Sequence, residues 1–116
     1  MKNWILAIAL FFTCHTHAQE VAWTGMKTDR LIVISEQGDK GFQFAMLYIL
    51  GIADGLEGQR AISRVGPCRV EGTTTNHEIA SKILNSVKAL DKPKEPAGKV
   101  VINAYLSSYC PDSMTQ

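Results

Sequence analysis

The sequence predicts a small all-α domain, a bundle of about four helices with one disulfide. Three observations indicate this class. Apolar residues recur at three- and four-residue steps in several segments, which is the period of an amphipathic helix. Thr75 and Glu78 have the spacing of a capping box, in which each side chain bonds the other residue's backbone amide. Cys68 and Cys110 remain as an even pair once an N-terminal leader is removed.

The leader is typical of a signal peptide. Lys2 precedes an apolar run over residues 4–12, which is too short for a permanent transmembrane helix. Thr16 and Ala18 are small residues at the positions that a signal peptidase requires. We therefore expect residues 1–18 to be a signal peptide cleaved after Ala18, and residues 19–116 to form a single helical domain of an exported protein.

The charge balance of the remaining chain is neutral. The full sequence has 12 basic and 11 acidic residues, and Lys2 is the one charged residue of the leader, so 11 of each sign remain after cleavage. A nucleic-acid-binding or lipid-binding surface usually needs a basic surplus. We expect no nucleic-acid partner and no membrane association once the leader is gone.

Cleavage leaves Cys68, Cys110 and a single histidine, His77. In a small exported domain an even pair of cysteines is typically a disulfide. The pair is too widely spaced for a zinc site, so we expect no metal and no cofactor. The alternative makes Cys68 a nucleophile with His77 as its base. It is disfavoured because a helix N-terminus opposes protonation of the imidazole and because Cys110 competes for the sulfur. A lipid anchor on Cys14 is also disfavoured, since Thr13 and not Gly, Ala or Ser precedes it.

Two helices are predicted before Cys68. Residues 27–36 form a short helix, with a strand as the alternative because Leu-Ile-Val-Ile favours β structure. The segment 39–58 is the strongest helical signal, and residues 59–65 either extend it or form a separate turn. Its apolar stripe consists of Phe42, Ala45, Ile49, Ile52 and Leu56. Gly51 and Gly55 are four apart, which predicts a shallow notch for close packing of another helix.

Two more helices follow the Gly-Pro interruption at residues 66–67. The first begins at the capping box and runs to about Leu90, with its apolar face made by Ile79, Ala80, Ile83, Leu84, Val87 and Leu90. The second runs over residues 97–109. Two prolines in residues 91–96 separate the helices. A disulfide would tie the approach to the third helix to the end of the fourth, so the two should form an antiparallel pair.

The acidic pair Asp54 and Glu57 is interpreted as an interaction surface or a solvated face. The two carboxylates are three positions apart and share one side of the predicted helix. No other residue in the segment supports their use as a pair of acid and base. The residues by themselves therefore indicate an exported helical domain that binds a partner.

The order of features resembles the Tai/Rap immunity family of type VI secretion systems. The resemblance covers residues 42–111 and depends on a signal peptide, the helix FQFAMLYILGIADGLE, the loop GPCRVEGTTT, a capped helix, a proline break and a final helix ending in Tyr-Cys-Pro. It implies a periplasmic, non-enzymatic protein that binds a cysteine-histidine peptidoglycan amidase effector, often as a homodimer, and occludes its active-site cleft. The producing cell and its sisters would thereby be protected.

Within that family the chain is most similar to the immunity proteins paired with the fourth class of amidase. That class cleaves the bond between D-glutamate and diaminopimelate in the peptide stem. Many relatives carry a second cysteine pair, with one cysteine near the position of Ala45, and this chain has none there. The bond between Cys68 and Cys110 would then be its single disulfide cross-link.

Exposed charged segments are the candidates for effector binding, because a preorganised loop loses little entropy when it enters a cleft. The candidates are Asp91, Lys92, Pro93, Lys94 and Glu95 in the proline loop, and Glu57, Arg60 and Arg64 before Gly66. The candidates for a homodimer interface are Met46, Leu47 and Leu50, which lie off the main apolar stripe. Alternative functions are a periplasmic stress chaperone and a thiol hydrolase using Cys68 and His77.

Overall fold

A computed structural model describes residues 25–68 and 72–111. They form four α-helices: α1 (Thr28–Ser35), α2 (Gly38–Ile62), α3 (Asn76–Leu90) and α4 (Ala97–Tyr109). The predicted all-α class and the number of helices are confirmed, and the first segment is a helix, not a strand. The predicted signal peptide and its cleavage site lie outside the described residues.

The core lies where one face of each helix meets the others. From α2 it takes the stripe that the sequence predicts, with Ala45 and Ile49 fully buried and Phe42, Ile52 and Leu56 packed against them. Among the described residues, the largest fully buried apolar side chains are Leu31, Ile49, Ile83, Val87, Val100 and Val101. Within the described ranges, no helix combines the length and the hydropathy needed to cross a membrane.

A tight corner joins α1 to α2 with only two residues between them. Gly38 begins α2 with a φ of 71°, in the left-handed region that glycine tolerates best. At Gly41 a β-carbon would collide with the carbonyl oxygen of Ile34, so only glycine allows α1 to lie this close to α2. The corner therefore depends on glycine at both positions.

The prediction that another helix of the bundle packs closely against Gly51 and Gly55 is wrong. Both glycines are exposed, and a β-carbon added at either would meet no atom of the described residues within 4 Å. The bundle packs against the opposite side of α2, where Ala45, Ile49 and Ala53 are buried. Four-residue spacing of glycines is compatible with close packing but does not specify which side of the helix faces the core.

The start of α1 is bonded to the loop between α3 and α4. The backbone N–H and the hydroxyl of Thr28 both donate to the carbonyl oxygen of Glu95, at 3.0 and 2.9 Å. The N–H of Asp29 donates to Pro93, and Lys27 forms an isolated bridge with Pro96. Residues 91–96 are thus held against α1 by backbone hydrogen bonds.

The predicted capping box at the start of α3 is confirmed. The Glu78 N–H donates to the Thr75 hydroxyl oxygen at 3.2 Å, and the Thr75 N–H donates to the Glu78 carboxylate at 2.7 Å. These hydrogen bonds from Thr75 lower the pKa of Glu78 below its ordinary value. They satisfy backbone donors that would otherwise lack partners in the first turn.

Replacing Thr75 with alanine should lower the free energy of unfolding by about 1 kcal/mol, because an N-cap oxygen is lost while the helix stays intact. Thr73 is exposed and two residues earlier, so Thr73→Ala is the matched control and should change little. Urea denaturation followed by circular dichroism measures both. Equal losses in the two variants would contradict the role of the cap.

Candidate functional site

The disulfide between Cys68 and Cys110 is present, as the sequence predicts. Their Cα atoms are 5.0 Å apart, although the residues are 42 positions apart in the chain. The bond joins the loop before α3 to the end of α4. Its consequence for chemistry is that neither sulfur of the oxidised protein is a thiolate able to attack a substrate.

Residues 62–67, here called the tip, project from the end of α2. Two of the most exposed large apolar side chains of the described residues belong to it, Ile62 at 80% and Val65 at 49% exposure. Arg64 turns the backbone with a φ of 56°, in the left-handed region. The tip therefore presents two aliphatic side chains and one guanidinium to solvent.

Hydrogen bonds hold the tip in one shape. Nε and Nη2 of Arg60 both donate to the carbonyl oxygen of Gly66, at 3.0 and 2.7 Å. The N–H of Val65 donates to the carbonyl oxygen of Arg60 at 2.9 Å. The Arg60 guanidinium therefore binds a carbonyl of its own chain, whereas the Arg64 side chain is exposed. Of the charged residues that the sequence proposes for partner contact on this side, Arg64 is the one that faces solvent.

Glu57 lies one turn before the tip and bonds two other elements. Its Oε1 accepts a hydrogen bond from the Tyr105 hydroxyl at 2.7 Å and one from the Cys68 N–H at 3.1 Å. Its Oε2 lies 3.4 Å from the same N–H. We call this arrangement the Glu57 clamp. It connects α2, the loop at Cys68 and α4 through one half-buried carboxylate.

Sequence reasoning did not find the clamp, because it interprets Glu57 as part of an exposed charged surface. A signal for it was present in the spacing. Ile49 and Ala53 are buried, and Glu57 continues the same four-residue step along α2. A carboxylate that continues a buried stripe needs hydrogen-bond donors from the elements that cover it. What the sequence lacked was the identity of those donors.

The phenol of Tyr105 has a pKa far above its ordinary value. Burial is the main cause, and the hydrogen bond to the Glu57 carboxylate adds to it. The residue as a whole is only 3% exposed. Tyr105 therefore remains a neutral donor throughout the neutral pH range.

A cleft of about 400 Å³ opens beside the clamp. Its apolar walls include Leu50 and Ile79, and its polar side includes Asp54, Asn76 and the clamp residues. A second cleft, of about 510 Å³, lies between α2 and the start of α3. There the rings of Phe42 and His77 are 4.8 Å apart. His77 is exposed in the first turn of α3, as the sequence favours.

Donor atoms of Glu57, Cys68 and Cys110 lie within 4.8 Å of one another. Such a set could hold a metal ion if both cysteines were thiolates. In this structure the two sulfurs are bonded to each other, so they offer no thiolate ligand. The arrangement is a disulfide beside a carboxylate.

The proline loop, residues 91–96, is held by ion pairs and by hydrogen bonds to α1, unlike the tip. Lys94 pairs with Asp29 at 3.0 Å, and Glu95 pairs with Lys99 at 2.9 Å and, at the longer distance of 4.0 Å, with Lys92. These lysines lower the pKa of Asp29 and of Glu95 below their ordinary values. Pro93 and Glu95 also accept backbone hydrogen bonds from α1. Residues 91–94 are exposed, but Pro93, Lys94 and Glu95 are each bonded to residues of α1.

The three candidates for a dimer interface differ in exposure. Leu47 is 68% exposed, whereas Met46 and Leu50 are half-buried and line the two clefts. Phe44, three residues before Leu47 on the same side of α2, is 53% exposed. The exposed apolar surface of α2 is therefore centred on Phe44 and Leu47.

Comparison of the chain with protein-family models, with curated proteins and with solved structures finds no match. The resemblance to an immunity family stays a prediction from the sequence.

Tyr105→Phe should lower the free energy of unfolding at pH 7 by about 1.5 kcal/mol, because it removes a hydrogen bond to a charged group. Since folding raises the pKa of Tyr105, the native state favours its protonated form. The resulting stability is complete below pH about 10 and is lost as the pH rises further, by at most about 1.4 kcal/mol per pH unit for one proton.

The phenylalanine variant lacks this alkaline loss at position 105. Tyr48→Phe is the control, because burial without a carboxylate raises the pKa of Tyr48. Urea unfolding between pH 7 and 11.5 measures all three proteins. Identical pH profiles for the wild type and Tyr105→Phe would contradict the interpretation.

Proposed function

We propose that this protein is a periplasmic immunity protein that binds a cysteine-histidine peptidoglycan amidase and blocks its active-site cleft with the tip. The observation that carries the proposal is the tip itself, where Ile62 and Val65 are exposed on a backbone fixed by Arg60 and the disulfide. An exposed apolar group on a rigid support is typical of a protein-binding anchor. The choice of an amidase as partner comes from the resemblance.

The tip is favoured over the proline loop for geometric reasons. A loop that enters a cleft must project from its own protein and keep its shape when free. Residues 91–96 are bonded along α1, so entry into a cleft would require breaking those hydrogen bonds. The hydrogen bonds of the tip go to Arg60, Ala61 and Gln59 at the end of α2, so they fix its shape without tying it to another helix.

The chemistry of the tip describes the surface that would receive it. Ile62 and Val65 fit an apolar recess, and Arg64 between them fits a carboxylate or carbonyl oxygens at its rim. We expect the substrate cleft of the amidase to offer such a recess. Occupation by a fixed apolar loop would exclude the substrate without any chemical step.

A non-enzymatic role is supported by the sulfur chemistry of the oxidised chain. The thiol hydrolase alternative needs a Cys68 thiolate close to a basic histidine. In the described structure the Cys68 sulfur is bonded to Cys110. The stress-chaperone alternative would require a broad apolar surface that adapts to many clients, whereas the tip is small and fixed.

A homodimer is proposed through the exposed surface of α2 centred on Phe44 and Leu47. Two large apolar side chains one turn apart are costly to leave in water, and a two-fold axis would bury both copies at once. Gly51 continues the same side of the helix and would allow the partner helix to approach closely. This surface lies toward the start of α2, so it leaves the tip available.

The double variant Ile62→Asp, Val65→Asp should weaken binding to the amidase at least about 100-fold, because two apolar anchors become charged. The assay uses recombinant amidase that cleaves D-glutamate-diaminopimelate bonds, with isothermal titration calorimetry and inhibition of stem-peptide hydrolysis. Leu90→Asp is the control, since Leu90 is exposed at 42% beside the proline loop. If Lys92→Ala, Lys94→Ala abolishes binding and the tip variant does not, the proline loop is the contact.

Leu47→Glu should convert a dimer to a monomer at micromolar concentration, because a carboxylate replaces the most exposed apolar side chain at the proposed interface. Light scattering coupled to size-exclusion chromatography measures the mass. Val33→Glu, on α1 at 49% exposure, is the control and should leave the mass unchanged. A monomeric wild type would rule out the dimer.

A further inference from the structure

Three separate elements meet at one side chain, Glu57. The carboxylate comes from α2, one N–H comes from the loop at Cys68, and one hydroxyl comes from Tyr105 on α4. The two cysteines of the disulfide belong to the same two neighbours: Cys68 carries the N–H, and Cys110 is the residue that ends α4. The carboxylate therefore binds the loop that carries Cys68 and the helix that ends at Cys110. Neither hydrogen bond involves a sulfur atom.

We propose that Glu57 is a positioning residue, which fixes the C-terminal end of the tip and brings Cys68 to Cys110 before their sulfurs are joined. The disulfide then locks an arrangement that the carboxylate has already selected. The consequence for partner binding rests on the function proposed above, whereas the positioning of Cys68 does not. Glu57 thus acts through the tip and is not itself a contact to the partner.

The surroundings of Glu57 favour this role. Among the described residues no cation forms an ion pair with it, and the cleft beside it has the apolar walls Leu50 and Ile79. A half-buried carboxylate in such a place depends on hydrogen-bond donors for its stability. The Cys68 N–H and the Tyr105 hydroxyl are those donors.

The position of the cysteines in the chain makes such help necessary. They are 42 positions apart, and bringing two such distant residues together costs chain entropy. The covalent step is an exchange with oxidised glutathione. One cysteine thiolate attacks it, forming a mixed disulfide and releasing one glutathione; the second thiolate then closes the protein disulfide and releases another. The two protein thiols lose two electrons and two protons in total, and glutathione disulfide gains them.

The rate and equilibrium of the closing step depend on how often the two thiols meet, which is their effective concentration. The test measures this quantity for the mature chain in glutathione buffers, with alkylation and mass spectrometry to count free thiols. Glu57→Ala should lower the effective concentration at least about tenfold, since two charge-assisted hydrogen bonds are lost. Glu57→Gln keeps an oxygen acceptor and should stay within about threefold of the wild type. Asp54→Ala, an exposed carboxylate at the same cleft, should have no effect.

A second measurement keeps the proposal testable if a reduced variant unfolds. In the oxidised protein, hydrogen exchange of the Cys68 amide reports directly on its bond to Glu57. Exchange should be at least about tenfold faster in Glu57→Ala than in the wild type and nearly restored in Glu57→Gln. A merely destabilising change would raise exchange across the bundle, so the amides of Ile83 and Val101 serve as internal references. Unchanged exchange at Cys68 in Glu57→Ala overturns the proposal.

Binding of the amidase separates this inference from the proposed function. If the wild type fails to bind the amidase, the proposed function fails, while the exchange and glutathione results still decide the role of Glu57. If the amidase binds and Glu57→Ala slows its association, with the normal rate restored in Glu57→Gln, the clamp sets the shape of the tip for the partner. Equal association rates in all three would limit Glu57 to pairing the cysteines.

Discussion

The structure around the tip depends on one junction, where the Cys68 to Cys110 disulfide and the Glu57 carboxylate join the loop before α3 to the end of α4. The disulfide lowers the conformational entropy of the unfolded chain. The carboxylate fixes the positions of Cys68 and Tyr105 in the folded protein. The first contribution is covalent, and the second is a set of hydrogen bonds. With both present, residues 63–68, which belong to no helix, end at a fixed position.

Different contacts hold the two ends of the antiparallel pair α3 and α4. At the proline end, backbone hydrogen bonds from α1 and ion pairs at Asp29 and Glu95 hold the loop flat against the bundle. At the other end, the anchors lie only on the inner side of the chain, and Ile62 and Val65 are left in water. This difference between the two ends supports the tip, and not the proline loop, as the proposed contact surface.

Much of the fold follows from local signals in the sequence. The capping box at Thr75, the prolines of the α3 to α4 loop and the period of the α2 stripe each specify a boundary or a buried face by short-range chemistry. The cysteine pair follows from counting once the leader is removed. The clamp and the exposed side of α2 could not be predicted in this way. Both depend on which helix covers which face, so Glu57 was interpreted as exposed and Gly51 as packed.

The lengths of the helices explain why a projection exists. At about 1.5 Å per residue, the 25 residues of α2 span about 37 Å, whereas the 15 residues of α3 span about 22 Å. After Glu57 the side chains of α2 are mainly exposed, so the rest of the bundle does not cover this end of the helix. An uncovered helix end frays unless it is held. This end is held by Arg60, by Glu57 and by the disulfide, which lie within the uncovered stretch or next to it. These contacts stabilise the part of α2 to which the core contributes least. The shape of the projection therefore depends on these contacts and not on the core.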